Sequence, residues 1–352
     1  MNLTKLSIEL PIRALGYVNV YLSKGADGIW LFDTGMFHIE SAHSLISRIR
    51  EIGLQPCRIA GIVITHFHVD HSTLTPLLYE LSRPDVYIGS RELEAVLSIG
   101  VDAYIEEALK IFRESGMPEA EVESIRRYHP ALRAIEAYEK MARLPWKGLR
   151  EGDRVEVNGL SLQVVEAPGH TPGHIVLAGE EEIVLGDTVL SNITPHVTIH
   201  FMGSNPLGDY IKTLHRLERI AEGKLGLPGH REVIGDVRKR VREILHHHAE
   251  RLAEIVKLIH EKGSLTGYSV ARSLKWRVRY RSWEEYPPPE KFFAMGEALA
   301  HLALLEALGA VEAVTIDGSL AWKLTANPED ALSIVRRFVE PQEGGSARMS
   351  SS

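Results

Sequence analysis

The hexapeptide HFHVDH at residues 66–71 stands just past the apolar run IAGIVI. Three histidines and an aspartate in six positions, placed where a buried strand must end, limit the possible folds more than any other stretch. Alternation along the strand puts His66 and His68 on one side, and as the chain turns out of the sheet Asp70 and His71 can point back into the same cleft. A single histidine at a strand end is usually a satisfied polar residue. Four such groups together form a ligand set, and neutral imidazoles with a carboxylate suit zinc, with iron or manganese as alternatives.

The same format recurs along the chain. Asp33 closes the run GIWLFDTG, His170 lies in APGHTPGH, Asp187 in VLGDT and His230 in GLPGH. Gly169 and Gly173 permit a tight turn and close backbone approach around His170. Groups presented from separate strand ends converge only if those strands share one edge, where α/β folds place their sites.

Between these points strands and helices alternate. VNVYLS and GIWLF read as paired strands joined through KGADG. Ile39, Ala42, Leu45, Ile46, Ile49 and Ile52 recur at helical spacing before Gly53, predicting an amphipathic helix. Positions 91–145 are rich in Ala, Glu, Leu and Arg and read as a helical insertion beside the site, a lid or substrate wall. Strands resume in DRVEVNGLSLQVVE, where Asn158-Gly159 is a strong hairpin signal, and continue in HIVLAG, EIVLG and KLGLP. Near residue 240 the pattern turns helical. Leu245, Leu252, Ile255 and Ile259 mark one helix face, SLTGYSVARSL and MGEALAHLALLEALGAV supply two more helices, and AVTIDGSLAWKLT reads as a hairpin turned at Asp317-Gly318. Three helices closed by a hairpin are the pattern of a winged helix. The expected division is therefore a catalytic domain over 1–240, a winged-helix-like domain over 241–340 and a disordered tail over 341–352.

Composition narrows the function. The chain of 352 residues is 44% hydrophobic and 25% charged, ordinary globular values. A net charge of -7 disfavours a broadly basic nucleic-acid surface and favours a small-molecule substrate. Cys57 is the one cysteine, which leaves no disulfide framework and no thiolate metal site. With no charged-then-apolar leader and no apolar run of membrane-spanning length, the expectation is a soluble cytoplasmic protein without a membrane partner; homo-oligomerisation stays open.

Asp33, HFHVDH, His170, Asp187 and His230, in that order, resemble the five motifs of the metallo-β-lactamase superfamily, over about residues 8–235. The resemblance implies a four-layer αββα sandwich with a dinuclear metal site. It implies that His66, His68 and His170 bind one divalent metal, zinc before iron or manganese, and that Asp70, His71 and His230 bind a second. Asp187 would bridge them, and Asp33 would orient the histidine motif from behind. Water shared by two such cations is held as hydroxide near neutral pH and attacks carbon or phosphorus, with Asp187 and Asp70 as catalytic carboxylates and Asp70 able to manage a proton. HFHVDH also permits a single metal.

Within the superfamily, the C-terminal pattern and NPLGDYIKTLHRL are similar to glyoxalase-II-like hydrolases and their lactamase-β-like relatives. His68 departs from the di-iron flavoprotein branch, which usually has Glu there, and the insertion precedes Asp187, unlike the capped nuclease branch. The reading is a hydrolase of a small ester, thioester or lactone, extending to phosphoesters. The alternatives are a metal-dependent endoribonuclease and a mononuclear iron sulfur dioxygenase, and, in another class, a DNA-binding regulator with a sensing metal domain. Tyr210, His196 and Asn192 are candidate substrate contacts, against packing for Tyr210 and support for His196. His174 is read as structural support, and His246, His247 and His248 as a solvated or domain-contact face. The run LKWRVRYRSW at 274–283 mixes cations and aromatics, which suits a nucleic-acid strand or a docking surface.

Overall fold

The computed structural model describes residues 2–12, 15–277 and 279–340, so the tail over 341–352 lies outside the described residues. The first sheet contains β1 (Thr4–Glu9), β2 (Tyr17–Gly25), β3 (Gly28–Phe32), β4 (Ile59–Ile64), β5 (Asp85–Gly89) and β6 (Lys147–Leu149), in that spatial order. Its first three strands are antiparallel and the pairs from β3 to β6 parallel. The second sheet contains β7 (Arg154–Val157), β8 (Leu160–Glu166), β9 (Ile175–Ala178), β10 (Glu182–Gly186) and β11 (Leu225–Pro228). They lie side by side in chain order, antiparallel except for the parallel pair β10 and β11. Asn158 and Gly159 join β7 to β8 with φ of 49° and 84°, the left-handed pair that a two-residue hairpin turn requires.

Both faces of each sheet are apolar, so each must be covered on two sides. In β4, Val63 points into a buried layer shared with the second sheet, while Ile62 and Ile64 pack on the helical side. β9 alternates likewise, Ile175 and Leu177 facing the first sheet and Val176 facing outward. Tyr21 and Phe32 meet Val164 and Val184 within the same inner layer. Helix Ile39–Glu51 covers the outer side through Leu45 and Ile49, and helix Pro206–Ile220 contributes Leu214 and Leu217. The result is the four-layer αββα sandwich. Ile39, expected on an apolar face, is 80% exposed because it opens its helix, beyond the sheet it would have to cover.

After β5 the chain is helical up to Ala142, with its longest helices at Val101–Glu114, Glu119–Tyr128 and Ile135–Ala142, before β6 returns it to the sheet edge. Beyond β11 come helix Val237–Lys262, the short β12 (Leu265–Thr266), helices Gly267–Ser273 and Pro288–Ala307, and the hairpin β13 (Val311–Ile316) and β14 (Ser319–Leu324). β12 pairs with β14, so the hairpin becomes a three-stranded sheet. A last helix, Pro328–Val339, was not expected. Its signals are nevertheless present: Asn327 caps it by accepting from Asp330 N–H, and Ala331, Val335 and Val339 are buried at spacings of four. One continuous buried cluster runs from Leu6 to Val339, so the C-terminal helices share a core with the sandwich. Among the described residues no helix is long and apolar enough to cross a membrane.

Candidate metal centre

Parallel pairing explains why distant segments meet. β3 lies beside β4, so Asp33 and Thr65 leave the first sheet at the same edge, and Asp33 N–H donates to the Val63 carbonyl at 2.9 Å. β10 lies beside β11, so Asp187 and His230 leave the second sheet together, and Gly229 N–H donates to the Gly186 carbonyl at 2.7 Å. The two edges are tied by Ile175 N–H to the Thr65 carbonyl, 2.9 Å, and by Asn19 N–H to the Gly229 carbonyl, 2.7 Å. The glycines before the acidic and imidazole groups have a steric cause. A Cβ on Gly229 would lie 2.3 Å from Asp187 Oδ1 and 2.5 Å from His71 Cε1. Gly186 has φ of +49°, and a Cβ there would lie 2.7 Å from Thr65 Oγ1.

At this edge three overlapping groups form: His66, His68 and His170; His66, His71 and Asp187; Asp70, His71 and His230. The donor atoms within each group lie within 4.8 Å of one another. Asp187 reaches both ends of the cluster, Oδ1 lying 3.5 Å from His71 Nε2 and Oδ2 3.8 Å from His170 Nε2 and 3.5 Å from His230 Nε2. Asp70 Oδ2 is 3.2 Å from His230 Nε2. His66 Nε2, His170 Nε2 and Asp187 Oδ1 are buried with no protein hydrogen-bond partner. Each such atom costs about 1–3 kcal/mol unless something answers it. A cation among inward-facing lone pairs answers all three.

The imidazole orientations agree with this. His170 Nδ1–H donates to the His196 carbonyl at 2.7 Å, and His230 Nδ1–H donates to the Tyr17 carbonyl at 2.9 Å. A carbonyl only accepts, so in the neutral rings the proton sits on Nδ1 and the Nε2 lone pair faces the cluster. His71 Nδ1 meets Asp33 Oδ2 at 2.8 Å, and Asp33 also accepts from Thr65 N–H at Oδ1 and from Thr65 Oγ1–H at Oδ2. Thr65 Oγ1 in turn lies 3.0 Å from His66 Nδ1. Asp33 thus stands one step behind the cluster, held at φ of +63°, a left-handed conformation that marks a built position in a non-glycine residue.

Charge divides the cluster. Burial and neighbouring imidazoles push His66 and His68 well below the usual histidine range, and burial pushes His170 down to about 4. Burial also opposes charge on His71 and His230, but Asp187 and Asp70 outweigh it and raise both, with Asp33 adding to His71. Asp187 and Asp70 are held below the usual carboxylate range, because His71 and His230 overcome the cost of burial.

Other candidates are placed differently. His174 Nε2 accepts from Asp187 N–H at 3.1 Å and its Nδ1 meets Thr188 Oγ1 at 3.0 Å, so both ring nitrogens are used in holding the β10 turn. His196 meets the site through its carbonyl, while its ring faces Glu297. Tyr210 does not reach the cleft: it is fully buried, donates to the Thr188 carbonyl at 2.7 Å and packs edge-on against His248. Asn192 is exposed and lines a separate cavity with Trp276 and Glu297. Of the triple histidine, His246 is exposed while His248 is buried with Nδ1 3.1 Å from His301 Nε2, an interior contact rather than a solvated face. Thr65 was missed because a threonine at a strand end carries no local mark. Glu92 was missed in the same way: fully buried, its carboxyl pushed up to about 8 by burial, it accepts from Thr171 Oγ1 beside His170. Tyr138 of the insertion donates to the Phe67 carbonyl at 3.1 Å, so the insertion braces both histidine loops.

A buried cluster of histidines and aspartates at the joined edges of two facing sheets defines an αββα protein built for metal. The chain belongs to the metallo-beta-lactamase superfamily, whose family profile matches residues 13–245. It is similar to a metallo-beta-lactamase family protein of Thermus thermophilus, 27% identical with a TM-score of 0.75 over 92% of this chain and 98% of that one. A beta-lactamase domain protein of Burkholderia ambifaria is 25% identical, TM-score 0.78, over 92% and 93%. The Caenorhabditis elegans protein named beta-lactamase-like protein 2 homolog is 26% identical over 279 residues, 76% of this chain and 75% of that protein. The Aspergillus fumigatus protein named atrochrysone carboxyl ACP thioesterase is 24% identical over 188 residues, so the match spans 53% of this chain and less than half, 42%, of that relative.

Proposed function

We propose that the chain is a metal-dependent hydrolase of small esters, thioesters or lactones, with tolerance for phosphoesters. The carrying observation is the pair of ligand groups joined at Asp187, with orphaned lone pairs on His66, His170 and Asp187 itself. In this reading His66, His68 and His170 hold one divalent ion, Asp70, His71 and His230 hold a second, and Asp187 serves both; the nitrogen-rich donor set suits zinc. Ions bound there supply Lewis acidity and make water acidic enough to attack at neutral pH. The protein residues do the rest. Asp187 and Asp70 stay ionised, Asp33 and the His196 and Tyr17 carbonyls keep the rings in the ligand tautomer, and Asp70, 3.2 Å from His230 Nε2, is the carboxylate that would carry a proton to the leaving group.

A cavity of about 500 Å³ opens beside His170, walled by Tyr104 and Ala95 of the insertion and by Pro168 and Phe201. Arg91, Glu94, Asn205 and Asp209 also line it, so the carbon chain of an acyl group would lie on the apolar walls with polar groups around it. The name of the Aspergillus fumigatus relative supports the thioester within this set. The C-terminal helices, β12 and the hairpin are read as a winged-helix-like appendage, and the protein as cytoplasmic.

The test is turnover of zinc-loaded protein on an acyl thioester and on single-stranded RNA, with Asp187→Asn as the blank. Several kcal/mol of charge stabilisation pass through Asp187, so thioester cleavage is expected to fall on the order of 1000-fold in the variant. RNA cleavage alone, lost in the same variant, would replace the small-ester reading with the nuclease.

A further inference from the structure

The segment from Leu190 to Thr198 lies between the cluster and the C-terminal helices. On one side its His196 carbonyl takes the Nδ1–H of His170. On the other it is gripped from beyond residue 236. Arg240, on helix Val237–Lys262, donates from Nε to the Leu190 carbonyl at 2.7 Å and from Nη2 to the Ile193 carbonyl at 3.0 Å. Glu297, on helix Pro288–Ala307, has Oε2 3.7 Å from His196 Nδ1, while the other ring nitrogen of His196 meets Thr198 Oγ1. Phe293, one helical turn earlier, stands edge-on to the His196 ring at 4.6 Å. Helix and segment are in direct contact at Gly296, where a Cβ would lie 2.4 Å from Thr198 Cγ2.

We infer that Glu297 is a positioning residue for His170, acting through His196: it holds the His196 ring, and so fixes the carbonyl that sets the tautomer and direction of His170. The C-terminal helices then help build one half of the metal centre and leave the other half to the sheet edges. A carboxylate suits this place. Its side chain is only 16% exposed, its partner ring is 21% exposed, and a charge so enclosed needs a fixed partner. A neutral glutamine keeps the shape of the helix contact but not the charge that orients the ring. The inference rests on the metal reading of the site.

The experiment is a cobalt(II) titration of the full-length chain followed by visible absorption, with thermal unfolding of the metal-free protein as a parallel readout. Two binding steps are expected for the unaltered chain. Glu297→Gln is expected to weaken the step of the all-histidine group about 10-fold, the lower end of what a supporting partner contributes, and to leave the other step unchanged. His196→Phe keeps the carbonyl and loses the imidazole, with its Thr198 contact as well, and should give at least that loss. The double variant should be no worse than His196→Phe alone, because Glu297 acts through the imidazole that this variant already lacks. Glu312→Gln, whose exposed carboxylate pairs with Lys323 on the hairpin, should change neither step. Equal affinities for Glu297→Gln and the unaltered chain, additive losses in the double variant, or a parallel fall in both steps with a lowered unfolding midpoint would each overturn the inference. An unaltered chain that takes up no cobalt would instead overturn the metal reading beneath it.

Discussion

The two halves of the cluster differ in kind although they share Asp187. The group of His66, His68 and His170 is all imidazole and depressed in basicity; Thr65 at the sheet edge backs His66, and connections outside the two sheets add the rest: the insertion through Glu92 and Tyr138, and the 190–198 segment through the His196 carbonyl. The group of Asp70, His71 and His230 contains a carboxylate, has raised histidines, and is braced by the sheet edges themselves, through Asp33 and the Tyr17 carbonyl. The contrast teaches that one half is tuned in large part by what covers the sandwich and the other by the sandwich. Insertions and appendages can therefore reshape the first half without disturbing the second.

The sharpest way to break this contrast is Asp33→Asn. In the present arrangement one Asp33 oxygen accepts from Thr65 N–H and the other from Thr65 Oγ1–H and His71 Nδ1–H. An amide offers one acceptor, and with its oxygen kept on Thr65 N–H its NH2 faces His71 Nδ1. That favours a proton on Nε2, the wrong tautomer for a ligand. Metal affinity at the Asp70, His71 and His230 group is expected to fall about 10- to 100-fold in a chelator competition, with a smaller loss at the all-histidine group, which Asp33 reaches through Thr65 and His66. Equal losses in both groups would show one indivisible centre.

Acidification sharpens the contrast with no substitution. Protonated imidazole has no lone pair for a metal, so a histidine raised above its ordinary value begins to lose metal at higher pH than one that is lowered. His71 and His230 are raised, and His170 is pushed down to about 4. Metal content measured by elemental analysis along a descending pH series is expected to drop first at the Asp70, His71 and His230 group, with the all-histidine group retaining its ion further toward pH 4. Simultaneous loss would contradict the division of charge.

The smallest effect is expected at Tyr210. Removing its hydroxyl in Tyr210→Phe deletes one buried hydrogen bond to the Thr188 carbonyl and should cost about 1 kcal/mol in denaturant unfolding. Turnover and metal affinity should remain within about twofold, since the ring lies in the core. A large change in KM would return Tyr210 to the cleft.

Much of this centre was legible without a structure, because its marks are local. An apolar run, then a glycine, then a histidine or aspartate tells of a strand end with a crowded exit, and Gly186 and Gly229 bear the crowding out. Periods of two and of three to four located the strands and most helices, and the Asn158-Gly159 turn needed only its two residues. Helix Pro328–Val339 was overlooked although its cap and spacing were as local as the rest.

What only the tertiary structure decided are the partners of the ligands. His170 finds its carbonyl 26 positions away and His230 finds its own 213 positions away. Any backbone carbonyl can accept a ring proton, so no residue type announces the one that will. The same holds for Thr65 behind His66, for Glu92 behind Thr171 and for Tyr210, whose ring the sequence left equally free to face cleft or core. Side-chain chemistry and short-range backbone limits reside in neighbours along the chain, and from them the sequence determined which groups could bind metal. Tautomer, basicity and bracing depend on which segments are brought into contact, and those were decided by the packing of sheet on sheet and helix on loop.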